Sequence, residues 1–169
     1  MLPKLYIMCG ISFSGKTTIS KLISQIKGFV RVDLDEVKVE IVGPDLPDEK
    51  VTEPEWDQIY QSMYQKVKNA LLSGQSVVQD AGNFTRYERG LVRAIVDNLG
   101  LEAITIFVDT PPSLARQRLL HNRQHQIRFD VSNELFKATI KELEPPIFPE
   151  VFLTINPSIP IEKWIKDNL

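Results

Sequence analysis

The chain is 169 residues long, 43% hydrophobic and 25% charged, with a formal net charge of −2. That length suits one globular domain able to bury a core, and the charge excludes a global basic field for bulk nucleic-acid binding. A single cysteine, Cys9, excludes an internal disulfide. With no apolar run of bilayer-spanning length and no signal-peptide pattern, the expectation is a cytoplasmic protein without membrane association.

Leu5-Tyr6-Ile7-Met8-Cys9 reads as a buried parallel strand. Gly10-Ile11-Ser12-Phe13-Ser14-Gly15-Lys16-Thr17 follows in the pattern G-x-x-x-x-G-K-T, a phosphate-binding loop. Ile19, Leu22, Ile23 and Ile26 then recur at helical spacing. Phe29-Val30-Arg31-Val32-Asp33 is a second strand ending in acid, and a short helix is expected from Asp35 to about Val42. Residues 43–49 form a loop rich in breakers and acids. Thr52 and Glu55 have capping-box spacing, ahead of a long helix with Trp56, Ile59, Tyr60, Met63, Val67, Ala70 and Leu71 on one face.

Ser76-Val77-Val78-Gln79-Asp80 is a third strand, again ending in acid. Thr85 and Glu88 make a second capping box, opening a helix that turns Leu91, Val92, Ile95, Val96 and Leu99 inward. The clearest strand signal is Ala103-Ile104-Thr105-Ile106-Phe107-Val108-Asp109. Pro111-Pro112-Ser113 starts a helix carrying Leu114, Leu119 and Leu120, and an arginine-bearing stretch runs on to Arg128. A further helix, capped by Ser132 or Asp130, reaches about Leu143 before Pro145-Pro146 breaks it. Val151-Phe152-Leu153-Thr154-Ile155 is a fifth strand and residues 161–165 a closing helix. Strands alternating with helices predict one doubly wound α/β domain over residues 1–169, with a parallel sheet.

In such sheets ligands bind beyond the carboxyl ends of the strands. The phosphate loop, Asp33, Asp35, Asp80 and Asp109 all fall at strand ends, so the acids are expected to gather beside the nucleotide. Gly10, Ser12, Phe13, Ser14, Gly15, Lys16, Thr17 and Thr18 form the nucleotide-binding set, with Lys16 on the β- and γ-phosphates and the Thr17 hydroxyl on Mg²⁺. Asp80 stands where a second acid holds Mg²⁺ directly or through water, or else binds the acceptor. Asp35 is the first choice for the base that deprotonates a hydroxyl acceptor, with Asp33 as its substitute.

Residues 111–129 contain no acid but carry Arg116, Arg118, Arg123 and Arg128. An arginine lid over the transferring phosphoryl group, at about residues 117–131, accounts for that bias. Arg123 is the expected lid arginine, helped by Arg116 or Arg118. His121 and His125 have i, i+4 spacing but no third metal ligand nearby. Trp56, Tyr60 and Tyr64 fit an acceptor wall and helix-core packing equally well.

These stretches together resemble the P-loop kinase family that contains the polynucleotide 5′-hydroxyl kinase domain, chloramphenicol phosphotransferase and the zeta-toxin type kinases, an AAA-like ATP-binding kinase domain. The resemblance is carried by Cys9 to Thr18, by Asp33-Leu34-Asp35-Glu36-Val37-Lys38, by Gln79-Asp80-Ala81-Gly82-Asn83-Phe84-Thr85-Arg86, by Asn122-Arg123 and by Leu143-Glu144-Pro145-Pro146. It implies a three-layer α/β/α P-loop NTPase fold with a five-stranded sheet in the order 2-3-1-4-5. It implies Asp35 as general base, Asp80 near acceptor and metal, and Arg123 in the lid. The chain departs from the family pattern at Lys38, where arginine is common, at Phe13 in place of a small residue, and at Gly82.

The expected function is therefore transfer of the γ-phosphate of ATP, with Mg²⁺, to a hydroxyl of a small molecule or of a nucleic-acid 5′ end, the latter not favoured by the net charge. The rival from another class is an ATP-binding switch or scaffold without an acceptor. An occluded cleft beside Asp35 would mark the rival. A guanine-reading N-K-x-D motif does not follow the later strands.

Overall fold

A strand buried on both faces needs apolar residues at every position, and Leu5 to Cys9 supply them without a break. In the computed structural model, which describes residues 2–126 and 130–169, this run becomes the central strand. The elements are β1 (Lys4–Cys9), α1 (Lys16–Lys27), β2 (Val30–Asp33), α2 (Leu34–Val42), α3 (Glu53–Leu72), β3 (Val77–Asp80), α4 (Arg86–Asp97), β4 (Glu102–Val108), α5 (Pro112–His125), α6 (Asn133–Glu142), β5 (Phe152–Ile155) and α7 (Ile161–Asn168). All five strands are parallel and lie in the order β2-β3-β1-β4-β5.

The pleat sorts β1 between two cores. Leu5 and Ile7 join Val77, Ile59, Met63 and Val92 beneath α3 and α4. Tyr6 and Met8 join Ile19, Ile23, Ile106 and Trp164 beneath α1 and α7. Each such side chain, fully withdrawn from water, stabilises the fold by roughly 1.5–3 kcal/mol. A third, smaller cluster sits above the sheet edge: Ile11, Phe13, Ala115, Leu119 and Phe136 tie the phosphate loop to α5 and α6.

Both capping boxes form, Thr52 with Glu55 and Thr85 with Glu88. The helix expected to begin at Asp35 begins at Leu34. Asp33 is the reason, because its Oδ1 accepts from the N–H groups of Asp35 and Glu36 at 2.7 and 3.2 Å. The stretch expected as lid is, up to His125, the second half of α5. Arg128 lies outside the described residues. No described helix is long and apolar enough to cross a membrane.

Candidate phosphate loop and active-site cleft

The loop between β1 and α1 owes its shape to carbonyls held outward. Ser14 O accepts from Thr110 Oγ1 at 2.8 Å and from Arg118 Nη1 at 2.6 Å, and Phe13 O lies 3.3 Å from the same guanidinium nitrogen. A peptide's N–H points opposite its C=O, so the Gly15 N–H is turned away from α5 into the cradle. Lys16 Nζ donates to the carbonyls of Gly10 and Ile11 at 2.7 and 2.8 Å, spanning the loop's mouth. At Gly10, with φ of +152°, an added Cβ would lie 2.9 Å from both Ser14 Oγ and Val108 O. Ser14 Oγ is buried with no hydrogen-bond partner among the described residues, an orphaned polar atom inside a loop otherwise built to receive anions.

Phe13 adopts the left-handed region, with φ of +60°, and its ring is 6% exposed in the third hydrophobic cluster. The position that reads as an oddity in the sequence is an anchor: the ring fastens the loop to α5 and α6. Thr139 of α6 adds a contact, accepting from the Ser12 N–H at 3.3 Å.

Asp33 and Asp80 stand opposite each other on β2 and β3. Two like charges so placed repel. Arg31 shares its face of β2 with Asp33, two residues away, and resolves the conflict. Its guanidinium pairs with Asp33, with Asp80 Oδ2 at 2.9 Å and with Glu36 Oε1 at 2.6 Å. Ser20 Oγ lies 2.6 Å from Asp80 Oδ2 and 3.0 Å from Arg31 Nε. The two base candidates thereby separate. Asp33 is buried and occupied as helix cap and ion-pair partner. Asp35 is exposed and lines the same cavity as Lys16, Thr17 and Asp80. Thr17 and Asp80 offer the hard oxygens that Mg²⁺ takes alongside phosphate and water. Since Oδ2 of Asp80 is held by Arg31 and Ser20, an Asp80 contact through water fits the donor set best.

Three sequence expectations shift. Asp109 is exposed and lines neither cavity beside the loop. Arg116 also lies on the solvent side of α5, because the buried face of that helix carries Ala115, Leu119 and Asn122. Arg118 shares that face and reaches the loop instead. Arg123 lines neither cavity. It bonds Asp130, Asn133 Oδ1 and Val131 O, fastening the end of α5 to the start of α6. The His121 and His125 rings lie 4.3 Å apart, tilted by 43°, and among the described residues no group of metal-ligating side chains forms.

The acid-bearing cavity, of about 1050 Å³, opens between the loop, α2, α3 and α6. A second, of about 560 Å³, lies on the α5 side and takes in Thr18, Arg118 and Pro157. Phe13 and Gly15 line both, so the loop separates them. The far wall of the larger cavity is a ladder of rings along α3: Trp56 and Tyr60 centroids are 5.9 Å apart, Tyr60 and Tyr64 6.1 Å. Burial, with Glu88 and Asp48 nearby, pushes the Tyr60 hydroxyl up to about 12, so it stays protonated. Phe84 closes the floor, its ring 5.8 Å from Lys16 Nζ. Gly82 makes room for that ring, since a Cβ there would lie 2.4 Å from it.

A family model described as an AAA domain (AAA_33) matches residues 5–146, from β1 to the residues beyond α6. The chain belongs to this AAA domain family. No curated protein matches the sequence. Among solved structures, this AAA domain is similar to a candidate kinase from Chloroflexus aurantiacus J-10-fl, with a TM-score of 0.77 at 18% identity over 100% of both chains. It is similar also to the APS kinase CysC of Mycobacterium tuberculosis, solved with AMPPNP and APS, with a TM-score of 0.67 at 20% identity over 98% of this chain and 94% of that one. A chain of the Pnkp1/Rnl/Hen1 RNA repair complex aligns with a TM-score of 0.69 at 20% identity, over 84% of this chain and 44% of that one. The shared architecture is the P-loop NTPase fold.

Proposed function

We propose that the protein is an ATP-dependent phosphotransferase acting on a hydroxyl group. The observation that carries this reading is the sharing of one cavity by Lys16, Thr17 and the exposed carboxylate of Asp35, with ring-lined space beyond them. An occluded cleft would have favoured a nucleotide-binding switch, and this one is open beside Asp35. Kinase relatives of the same fold add support.

In this reading the loop amides, Lys16 and the N-terminus of α1 hold the triphosphate, with the nucleoside toward the smaller cavity and the acceptor in the larger. Mg²⁺, held by Thr17 and through water by Asp80, would neutralise phosphate charge. Asp35 orients the acceptor hydroxyl and takes its proton as the new O–P bond forms and the bond to the β-phosphate oxygen breaks, leaving ADP. Asp33 and Arg31 hold the start of α2, and so Asp35, in position. Arg118 holds the loop's outward carbonyls, and Arg123 acts by fastening α5 to the α6 region rather than by touching phosphate.

The experiment is a screen of hydroxyl acceptors for ADP release above the acceptor-free rate. Lys16→Ala should weaken nucleotide binding. Asp35→Asn should leave nucleotide binding intact and lower transfer by about 10²–10⁴-fold. Transfer that survives Asp35→Asn unchanged would overturn the assignment.

A further inference from the structure

The larger cavity is one-sided in charge. Among the described residues, nine carboxylates and two lysines line it. Much of that acid is neutralised locally. Arg31 takes Asp33 and Asp80, Lys38 takes Asp48 at 2.6 Å, and Arg123 takes Asp130 at 2.9 Å. Glu49, Asp57, Glu88 and Glu134 have no cationic partner among the described residues. They line the cavity from α3, α4, α6 and the turn before α3.

The two lysines are poorly placed to change that balance. Lys16 belongs to the phosphate loop, and Lys38 is 7% exposed and committed to Asp48. Among the described residues, a phosphorylated or carboxylated acceptor would meet a negative field and no uncommitted cation. The ring ladder on α3 points to the same kind of ligand by a separate route. Trp56, Tyr60 and Tyr64 present apolar, electron-rich faces, and Tyr60, Leu91 and Leu135 are large side chains left 36%, 43% and 39% exposed around the opening. Such faces stack on rings and attract ammonium groups.

We infer that the acceptor is a ring-bearing alcohol that also carries a protonated amine, its ring against Tyr60 and Trp56 and its ammonium among Glu49, Asp57 and Glu134. The inference rests on the phosphotransferase reading above. The amine is not the nucleophile, because as an ammonium it has no lone pair to give. The hydroxyl attacks the γ-phosphorus, Asp35 receives its proton, and ADP leaves. Anionic acceptors, including a nucleic-acid 5′ end with its flanking phosphates, are disfavoured by the same acids.

Three small alcohols of one shape test this: 2-amino-1-phenylethanol, 1-phenylethane-1,2-diol and mandelate, which are cationic, neutral and anionic. Their binding to the full chain is measured by calorimetry with AMPPNP and Mg²⁺ present, at neutral pH and low ionic strength. The amine should bind on the order of tenfold more tightly than the diol, as one partly screened carboxylate at contact would give, and more tightly still than mandelate. Combining Asp57→Asn with Glu134→Gln, both exposed positions, should cut the amine's advantage to about threefold or less while AMPPNP binding holds. Equal binding of the three, a preference for mandelate, or no binding of any at millimolar concentration overturns the inference and leaves the phosphotransferase reading standing if AMPPNP binds. Failure of AMPPNP itself to bind takes down both.

Discussion

Arg31→Met removes the cation between Asp33 and Asp80 and leaves an unbranched side chain in its place. The register of β2 and β3 sets the two aspartates opposite each other, and they are 7% and 4% exposed. Removing one partner of a buried ion pair costs about 3–5 kcal/mol, because the remaining charge stays desolvated. Here two carboxylates lose the same partner, which favours the upper end. Against about 5–15 kcal/mol for a whole domain, the loss is large. Asp80→Asn in the same chain removes one of the two like charges, so the double variant should regain roughly 1–2 kcal/mol relative to Arg31→Met. Urea unfolding at pH 7, followed by circular dichroism for the wild type, both single variants and the double, completes the cycle. A loss below about 1 kcal/mol for Arg31→Met, or a coupling energy near zero, would refute the role given to Arg31.

Gly10→Ala should lower nucleotide affinity at least about tenfold, since the new Cβ meets the Val108 carbonyl, which cannot swing aside; isothermal titration with AMPPNP reads it. Phe13→Ala should destabilise the chain by about 3 kcal/mol and speed amide exchange in α6, because the third cluster loses the ring that joins loop to helix; hydrogen-exchange mass spectrometry checks both. Glu150 is held below its ordinary 4.5 chiefly by the hydrogen bond from Arg89, then by the charges of Arg89 and Arg93, with burial opposing. Its folded value is the lower one, so its contribution is complete above about pH 5 and fades as pH falls below 4.5 toward that value. Glu150→Gln should therefore be less stable at pH 7 and show a flatter acid limb in denaturation at stepped pH. Burial pushes the Cys9 thiol up to about 11, against the pull of Arg89 and Lys16. Native protein at pH 8 should then resist iodoacetamide, while urea-unfolded protein is alkylated promptly.

What could be read in advance follows from how local each signal is. The phosphate loop, both capping boxes and the apolar strand β1 are written in adjacent residues, and all of them form. The phase of α5 is harder to read, because Leu120 beside the buried Leu119 suggests a face that the helix does not bury. Leu120 is 47% exposed. The face that packs is Ala115, Arg118, Leu119 and Asn122, at i, i+3, i+4 and i+7. Reading that spacing through a small residue and an amide would have turned Arg118 toward the loop and Arg116 toward water. Arg123 has no such signal, because its partners Asp130 and Asn133 become neighbours only when α5 and α6 pack.

Arg31 lies between these cases. An arginine in an otherwise apolar strand, two residues before an acid, already shows that both charges share a face and that a buried pair is available. The need for it, Asp80 on the neighbouring strand, comes from sheet order, which no local pattern encodes. Once β2 is placed beside β3, the consequences run in one direction. Arg31 pairs with two aspartates, Asp33 also caps α2, and of the two neighbouring acids on the cavity wall Asp35 is the exposed one. In the proposed phosphotransferase reading, the preference for Asp35 over Asp33 as base thus rests on a strand pairing.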